Sequence, residues 1–137
     1  MAATIRRVDY FYATVQDRPG EAYRLLAQLA VEKVDLLAFN AYPMGADRTQ
    51  LVLFPEDVQR LARAAEHTGT ILNGPQHALL IQGDDELGAL VEFHHRLFEA
   101  KINVYASAGL ADRRGGFAYI LYVPAGDFER AAQVLGA

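Results

Sequence analysis

The chain repeats itself, and the repeat limits the folds open to it. Asp17-Arg18-Pro19-Gly20-Glu21 joins an apolar, alternating run to an amphipathic one. Asp85-Glu86-Leu87-Gly88-Ala89 does the same 68 positions later. The pattern after each turn also recurs: helix, strand, glycine-bearing turn, strand, second helix. A repeat of this length fixes the architecture before any local motif is read. Two βαββα units, each with a glycine where a strand turns into a helix, point to a pair of small-molecule sites rather than one catalytic cleft.

Periodicity supplies the elements. From Ile5 to Gln16, residues Val8, Tyr10, Tyr12 and Thr14 share one face, and Asp9, Phe11, Ala13 and Val15 the other. This predicts a strand with at least one buried face. Ala22, Leu25, Leu26, Leu29 and Ala30 form a helical stripe that should run to about Lys33. Leu36–Tyr42 and Thr49–Phe54 read as strands around the turn at Pro43–Asp47. Pro55-Glu56-Asp57 opens a second helix with Val58, Leu61, Ala62 and Ala65 inward, closed by Gly69. Thr70–Leu72 reads as a short fourth strand, and Asn73-Gly74-Pro75 as a linker.

The second repeat predicts a strand at Ala78–Gln82, a turn at Gly83–Gly88, and a helix carrying Leu90, Val91, Phe93, Leu97 and Phe98. Strands at Ile102–Ala108 and Phe117–Val123 flank a polar turn at Leu110–Gly116. The last helix carries Phe128, Ala131, Ala132 and Leu135. Modules over residues 1–75 and 76–137 follow. A unit of about 60 residues buries only some 60% of its unfolded surface, so the two should share a core, a sheet or an oligomer interface. The second repeat ends without a clear last strand. An open sheet edge is normally covered or paired, which favours a homodimer.

Strand–helix–strand–strand–helix–strand is the ferredoxin-like order. The expected fold is α+β: tandem βαββαβ modules, each an antiparallel sheet with its helices on one face. The chain resembles the ACT-domain family, small regulatory modules found in enzymes of amino-acid metabolism. Asp17-Arg18-Pro19-Gly20 matches that family's Asp-Arg-Xaa-Gly turn, and Asp85-Glu86-Leu87-Gly88 matches it apart from Glu86, which stands where arginine is usual. Glu32-Lys33-Val34-Asp35 and Ala100-Lys101-Ile102-Asn103 look like the family's exit from first helix to second strand. The resemblance spans Val8 to Gly136. It implies a stand-alone, non-catalytic protein that binds an amino acid at interfaces between modules and regulates a partner enzyme.

The chemistry of the turns is consistent with such a ligand. A helix N-terminus offers unpaired N–H groups to a carboxylate, and glycine lets the ligand approach the backbone. Candidate ligand-binding residues are Asp17, Arg18, Pro19, Gly20 and Glu21 in the first module. Those of the second are Asp84, Asp85, Glu86, Leu87, Gly88 and Ala89. Asp17, Asp84 and Asp85 suit an ammonium. Asp35 and Asn103 are candidates for reaching a ligand from a neighbouring module. They differ in donor capacity, so the two sites are expected to be non-equivalent.

Other classes find little support. A net charge of −4 and an isoelectric point near 5.5 argue against nucleic acid, and Arg113-Arg114 is one solvated turn. Cysteine is absent, which removes disulfides and thiolate chemistry and fits a cytoplasmic protein. No apolar run is long enough to span a bilayer, and no leader is visible at the N-terminus. No metal, catalytic residue or cofactor is expected. Adjacent His94 and His95 cannot chelate jointly. His94 falls where the first repeat has Leu26 and reads as a core histidine. Ser107 has no nucleophile elbow, and no phosphate-cradling glycine motif occurs. Asp84-Asp85-Glu86 reads as a solvated turn. The remaining alternatives are a small α+β enzyme with a dimer-interface site, using His94 or Asp84–Glu86, and a ligand-free interaction module.

Overall fold

The computed structural model describes residues 3–137. Six strands and four helices alternate along the chain: β1 (Thr4–Gln16), α1 (Glu21–Val31), β2 (Leu36–Pro43), β3 (Arg48–Pro55), α2 (Val58–Thr68), β4 (Asn73–Asp84), α3 (Val91–Glu99), β5 (Ala106–Ala111), β6 (Gly116–Tyr122) and α4 (Phe128–Leu135). The fold is the expected α+β, ACT-like ferredoxin type. The chain forms two compact units: Asp9–Gln76, and His77–Ala137 together with the residues up to Val8.

In the first unit the strand order is β2-β3-β1, with antiparallel neighbours. Phe11, Ala13, Leu51 and Leu53 alternate onto the face covered by α1 and α2, where they meet Leu25, Leu29, Leu61 and Ala64. Tyr10, Val52 and Phe54, on the other face, are also buried. The Tyr10 and Phe54 rings lie 5.0 Å apart between centroids. Asp57 caps α2, accepting from Gln59 N–H at 2.9 Å and Arg60 N–H at 3.3 Å.

In the second unit the order is β4-β6-β5, again antiparallel. Leu79, Ile81, Tyr119 and Leu121 pack with Phe93 and Leu97 of α3 and Ala131 and Leu135 of α4. The strand that this repeat lacks in its own sequence comes from the start of the chain. Ala3 and Ile5 pack against its core. Thr4 Oγ1 donates to Gln82 O at 3.4 Å. Arg7 Nη1 grips both carboxylate oxygens of Glu129 at 2.7 and 2.8 Å, and its Nη2 donates to Ala137 O at 3.2 Å.

β4 differs from its sequence reading. Asn73-Gly74-Pro75 is not a linker but the first residues of β4, and Thr70–Leu72 forms no strand. Gly74 lies close against β1: a Cβ there would stand 2.9 Å from Tyr10 O. A glycine within a strand suits such a close backbone approach, and proline is admitted near a strand's start. β5 begins and ends later than its hydropathy suggests, at Ala106–Ala111. All six of its residues are exposed, so burial left no hydrophobic signature to read.

The repeat holds at the level of single backbone hydrogen bonds. Asp17 N–H donates to Asp47 O, and Asp85 N–H to Gly115 O, both at 2.8 Å. Val34 N–H reaches Leu29 O and Ile102 N–H reaches Leu97 O, each at 2.9 Å. Lys33 and Lys101 both sit at φ 60°, and their N–H groups bond to Ala30 O and Phe98 O. These are two Schellman closures, with Val34 and Ile102 turned back onto Leu29 and Leu97. They explain the Lys33-Val34 and Lys101-Ile102 correspondence: one residue must go left-handed and the next must be apolar.

Candidate functional site

Each module carries its turn between the first strand and first helix. Gly20 and Gly88 adopt φ +92° and +75°, a region that costs other residues about 1–2 kcal/mol. The chain thereby folds back so that Arg24 N–H meets Gly20 O at 2.9 Å and Val91 N–H meets Gly88 O at 3.1 Å. In contrast to α2, neither α1 nor α3 has a side-chain cap. Glu21 N–H is taken by Arg18 O at 3.4 Å and Val91 N–H by Gly88 O, which leaves the N–H groups of the next residues of each first turn to solvent or a ligand.

The surroundings of the two turns differ. In the first module Glu21 is half-buried and salt-bridged to Arg18 Nε and, at 3.4 Å, to Arg24 Nη1. Asp17, Arg18, Pro19 and Gly20 are exposed. In the second, Asp84, Asp85, Glu86, Leu87 and Gly88 are exposed and Ala89 is half-buried. A cavity of about 530 Å³ opens beside this turn, and one of about 460 Å³ opens beside Asp17 and Arg18 in the first module, both within the range of small-molecule sites. Asp85, Glu86 and Gly88 form the polar rim of the second-module cavity, and Leu110, Phe117 and Tyr119 its apolar wall.

The strands behind the turn position that wall. Gly109 pairs with Tyr119 and Ala111 with Phe117 across β5 and β6. A Cβ at Gly109 would lie 2.9 Å from Tyr119 Cδ1, so the absence of a side chain there is what lets the ring lean over β5. The Tyr119 hydroxyl is 2.7 Å from His94 Nε2. The β5–β6 turn is held by Asp112, whose Oδ1 accepts from Arg114 N–H at 2.7 Å and Gly116 N–H at 3.1 Å. Those bonds, with Arg114 foremost, hold the Asp112 carboxyl below the usual carboxylate range. The same turn presents the Gly115 carbonyl that fixes Asp85.

Asp35 and Asn103 are not gathered at the turns. Each follows the Schellman closure at the far end of its helix, about 16 Å along α1 and about 14 Å along α3 from the turn. Both side chains are exposed. Within a module they stand apart from Gly20 and Gly88. Gly109, Leu110 and Tyr119 were not legible as site residues. The one local signal was a glycine inside an otherwise strand-like run. Among the described residues no group of three or more histidine, aspartate or glutamate side chains converges as a metal site. No helix among them is long and apolar enough to cross a membrane.

No protein-family pattern and no curated protein matches the sequence. Solved structures do match in fold. Protein BT0572 from Bacteroides thetaiotaomicron superposes with a TM-score of 0.81 at 16% identity, over 98% of this chain and 88% of that one. The ligand-free regulatory subunit of aspartate kinase from Thermus thermophilus gives 0.68 at 16% identity, over 98% and 94%. Its counterpart from Thermus flavus gives 0.57 at 16% identity, over 98% and 94%. At such identities the likeness establishes a shared fold.

Proposed function

We propose that this protein is a non-catalytic regulatory protein that binds an amino acid at the Gly88 turn of its second module. The observation that carries the reading is the uncapped start of α3, which opens beside a cavity with acidic groups at its rim and apolar groups on its wall. A free amino acid has three parts to satisfy. Its carboxylate fits the α3 N–H groups and their partial positive charge. Its ammonium fits Asp85 and Glu86. Its side chain lies against Leu110, Phe117 and Tyr119.

The first module is the weaker site, because Glu21 already occupies the local cations Arg18 and Arg24. A second copy closes the cavity. β5 is exposed along its whole length; Leu110 on it and Tyr105 just before it are 73% and 58% exposed, and Val91 and Phe98 of α3 are 68% and 76% exposed. Apolar groups clustered along an open strand favour a partner. The aspartate kinase regulatory subunits of the same fold support a role in which ligand binding at this interface alters a partner enzyme. The acidic, cysteine-free composition fits action in the cytoplasm.

The test is calorimetric titration of the protein with the twenty amino acids, alongside Gly20→Val and Gly88→Val variants and sizing of the assembly. One or two amino acids should bind the dimer, and Gly88→Val should abolish binding while the variant stays folded. Absence of binding by every amino acid at millimolar concentration would overturn the reading in favour of a ligand-free interaction module.

A further inference from the structure

The second module departs from the first at three positions that meet in space. Its His94, Gly109 and Tyr119 stand 68 positions after Leu26, Ala41 and Leu51. The register confirms the equivalence, since Ala41 pairs with Leu51 as Gly109 pairs with Tyr119. Of the first module's three residues, Leu51 is fully buried and aliphatic, while Leu26 and Ala41 are exposed. The second module installs a phenol, a histidine within 2.7 Å to satisfy it, and a glycine that makes room for the ring. Packing does not require this. Replacing both partners of a buried hydrogen bond by apolar groups can be nearly neutral, and at the Tyr119 position the first module buries the aliphatic Leu51.

Of this pair, Tyr119 is placed where a ligand would meet it. Tyr119 is 6% exposed yet forms part of the wall of the cavity beside Gly88. His94 is half-buried, one helical turn beyond Leu90, which also lines the cavity. A tyrosine hydroxyl both donates and accepts, and a neutral imidazole nitrogen does either according to tautomer. If His94 accepts from Tyr119, the phenol oxygen keeps lone pairs for a donor. If His94 donates, the phenol hydrogen is free for an acceptor. The pair thus adapts to a hydroxyl or to an amide.

Resting on the amino-acid reading above, we infer that the second-module site is selective for an amino acid with an uncharged hydrogen-bonding side chain, read by the Tyr119 hydroxyl with His94 as its positioning residue. Threonine, asparagine and glutamine have the chemistry required; valine, leucine and methionine are their apolar counterparts of similar size.

Titration of the dimeric protein with threonine against valine, asparagine against leucine, and glutamine against methionine tests this. At least one polar member should bind about tenfold or more tightly than its counterpart, because a site built to hydrogen-bond rejects the analogue that cannot. Tyr119→Phe, which removes one oxygen and keeps the ring, should bring that ratio close to one while retaining the apolar member. His94→Leu, which restores the first module's residue, should lower the ratio as well. A purely structural role would weaken both members equally and leave the ratio unchanged, and that result overturns the inference. So does tighter binding of the apolar members, or binding confined to charged amino acids, and in either case the amino-acid reading survives. Failure of every amino acid to bind removes both.

Discussion

Deleting residues 1–7 should unfold the second unit selectively, although in sequence these residues precede the first module. The magnitude follows from what they touch. Ile5 is half-buried against the second unit's core, and full burial of such a side chain contributes about 1.5–3 kcal/mol, so about half of that is lost. Ala3 adds a few tenths of a kcal/mol, on the order of one partly buried methyl group. The Arg7–Glu129 pair is bidentate but exposed, at 43% and 66%, and counts for at most about 1 kcal/mol. With the Thr4 bond to Gln82, the total is about 3 kcal/mol, a large share of the 5–15 kcal/mol typical of a domain. Melting should fall by on the order of 10 °C. Hydrogen exchange resolves the units: amides of β4, β6 and α4 should lose protection, while those of β2, β3 and α2 keep theirs. Equal loss in both units, or loss confined to Asp9–Gln76, would refute the assignment of the first strand's opening half to the second unit.

Three further outcomes are expected. Lys33→Gly and Lys101→Gly should each stabilise the protein by about 0.5–1 kcal/mol, since relief of a left-handed residue outweighs the added unfolded-state entropy; destabilisation in chemical denaturation would contradict the strain argument. Gly109→Ala should cost about 1–3 kcal/mol by forcing the Tyr119 ring off β5, and near-ultraviolet circular dichroism should report the displaced tyrosine; an unchanged spectrum and melting point would count against the close approach. The Asp112 carboxyl, lowered in the folded state, contributes stability that is complete above the ordinary carboxylate value of about 4 and is lost as pH falls through its depressed value. The stability gap between the native protein and Asp112→Asn should therefore shrink on acidification, and a gap that widened would reverse the sign of the argument.

Much of the fold was legible because periodicity and turn chemistry are local. The stripe Ala22, Leu25, Leu29 and the alternation Phe11, Ala13, Val15 record which face is buried, and the structure buries Leu25, Leu29, Phe11 and Ala13 on it. The two turns were legible for the same reason: a strand that folds straight into a helix needs a residue free to take positive φ, and Gly20 and Gly88 supply it. β5 escaped a clear reading because exposure removes the pattern. Of the candidate site, the sequence marked the rim at Asp85–Ala89 but not the wall.

By itself, then, the sequence determined the βαββα repeat, the glycine turns and the helix exits at Lys33 and Lys101, each set by the conformational preferences of a few neighbouring residues. Tertiary structure alone decided the rest. It assigned Ile5 and Arg7 to the unit that begins some 70 residues later, because an unpaired strand gains from any edge that buries its apolar face. It also brought Tyr119, Gly109 and His94 together, a juxtaposition fixed by strand register and helix packing, which no local pattern encodes.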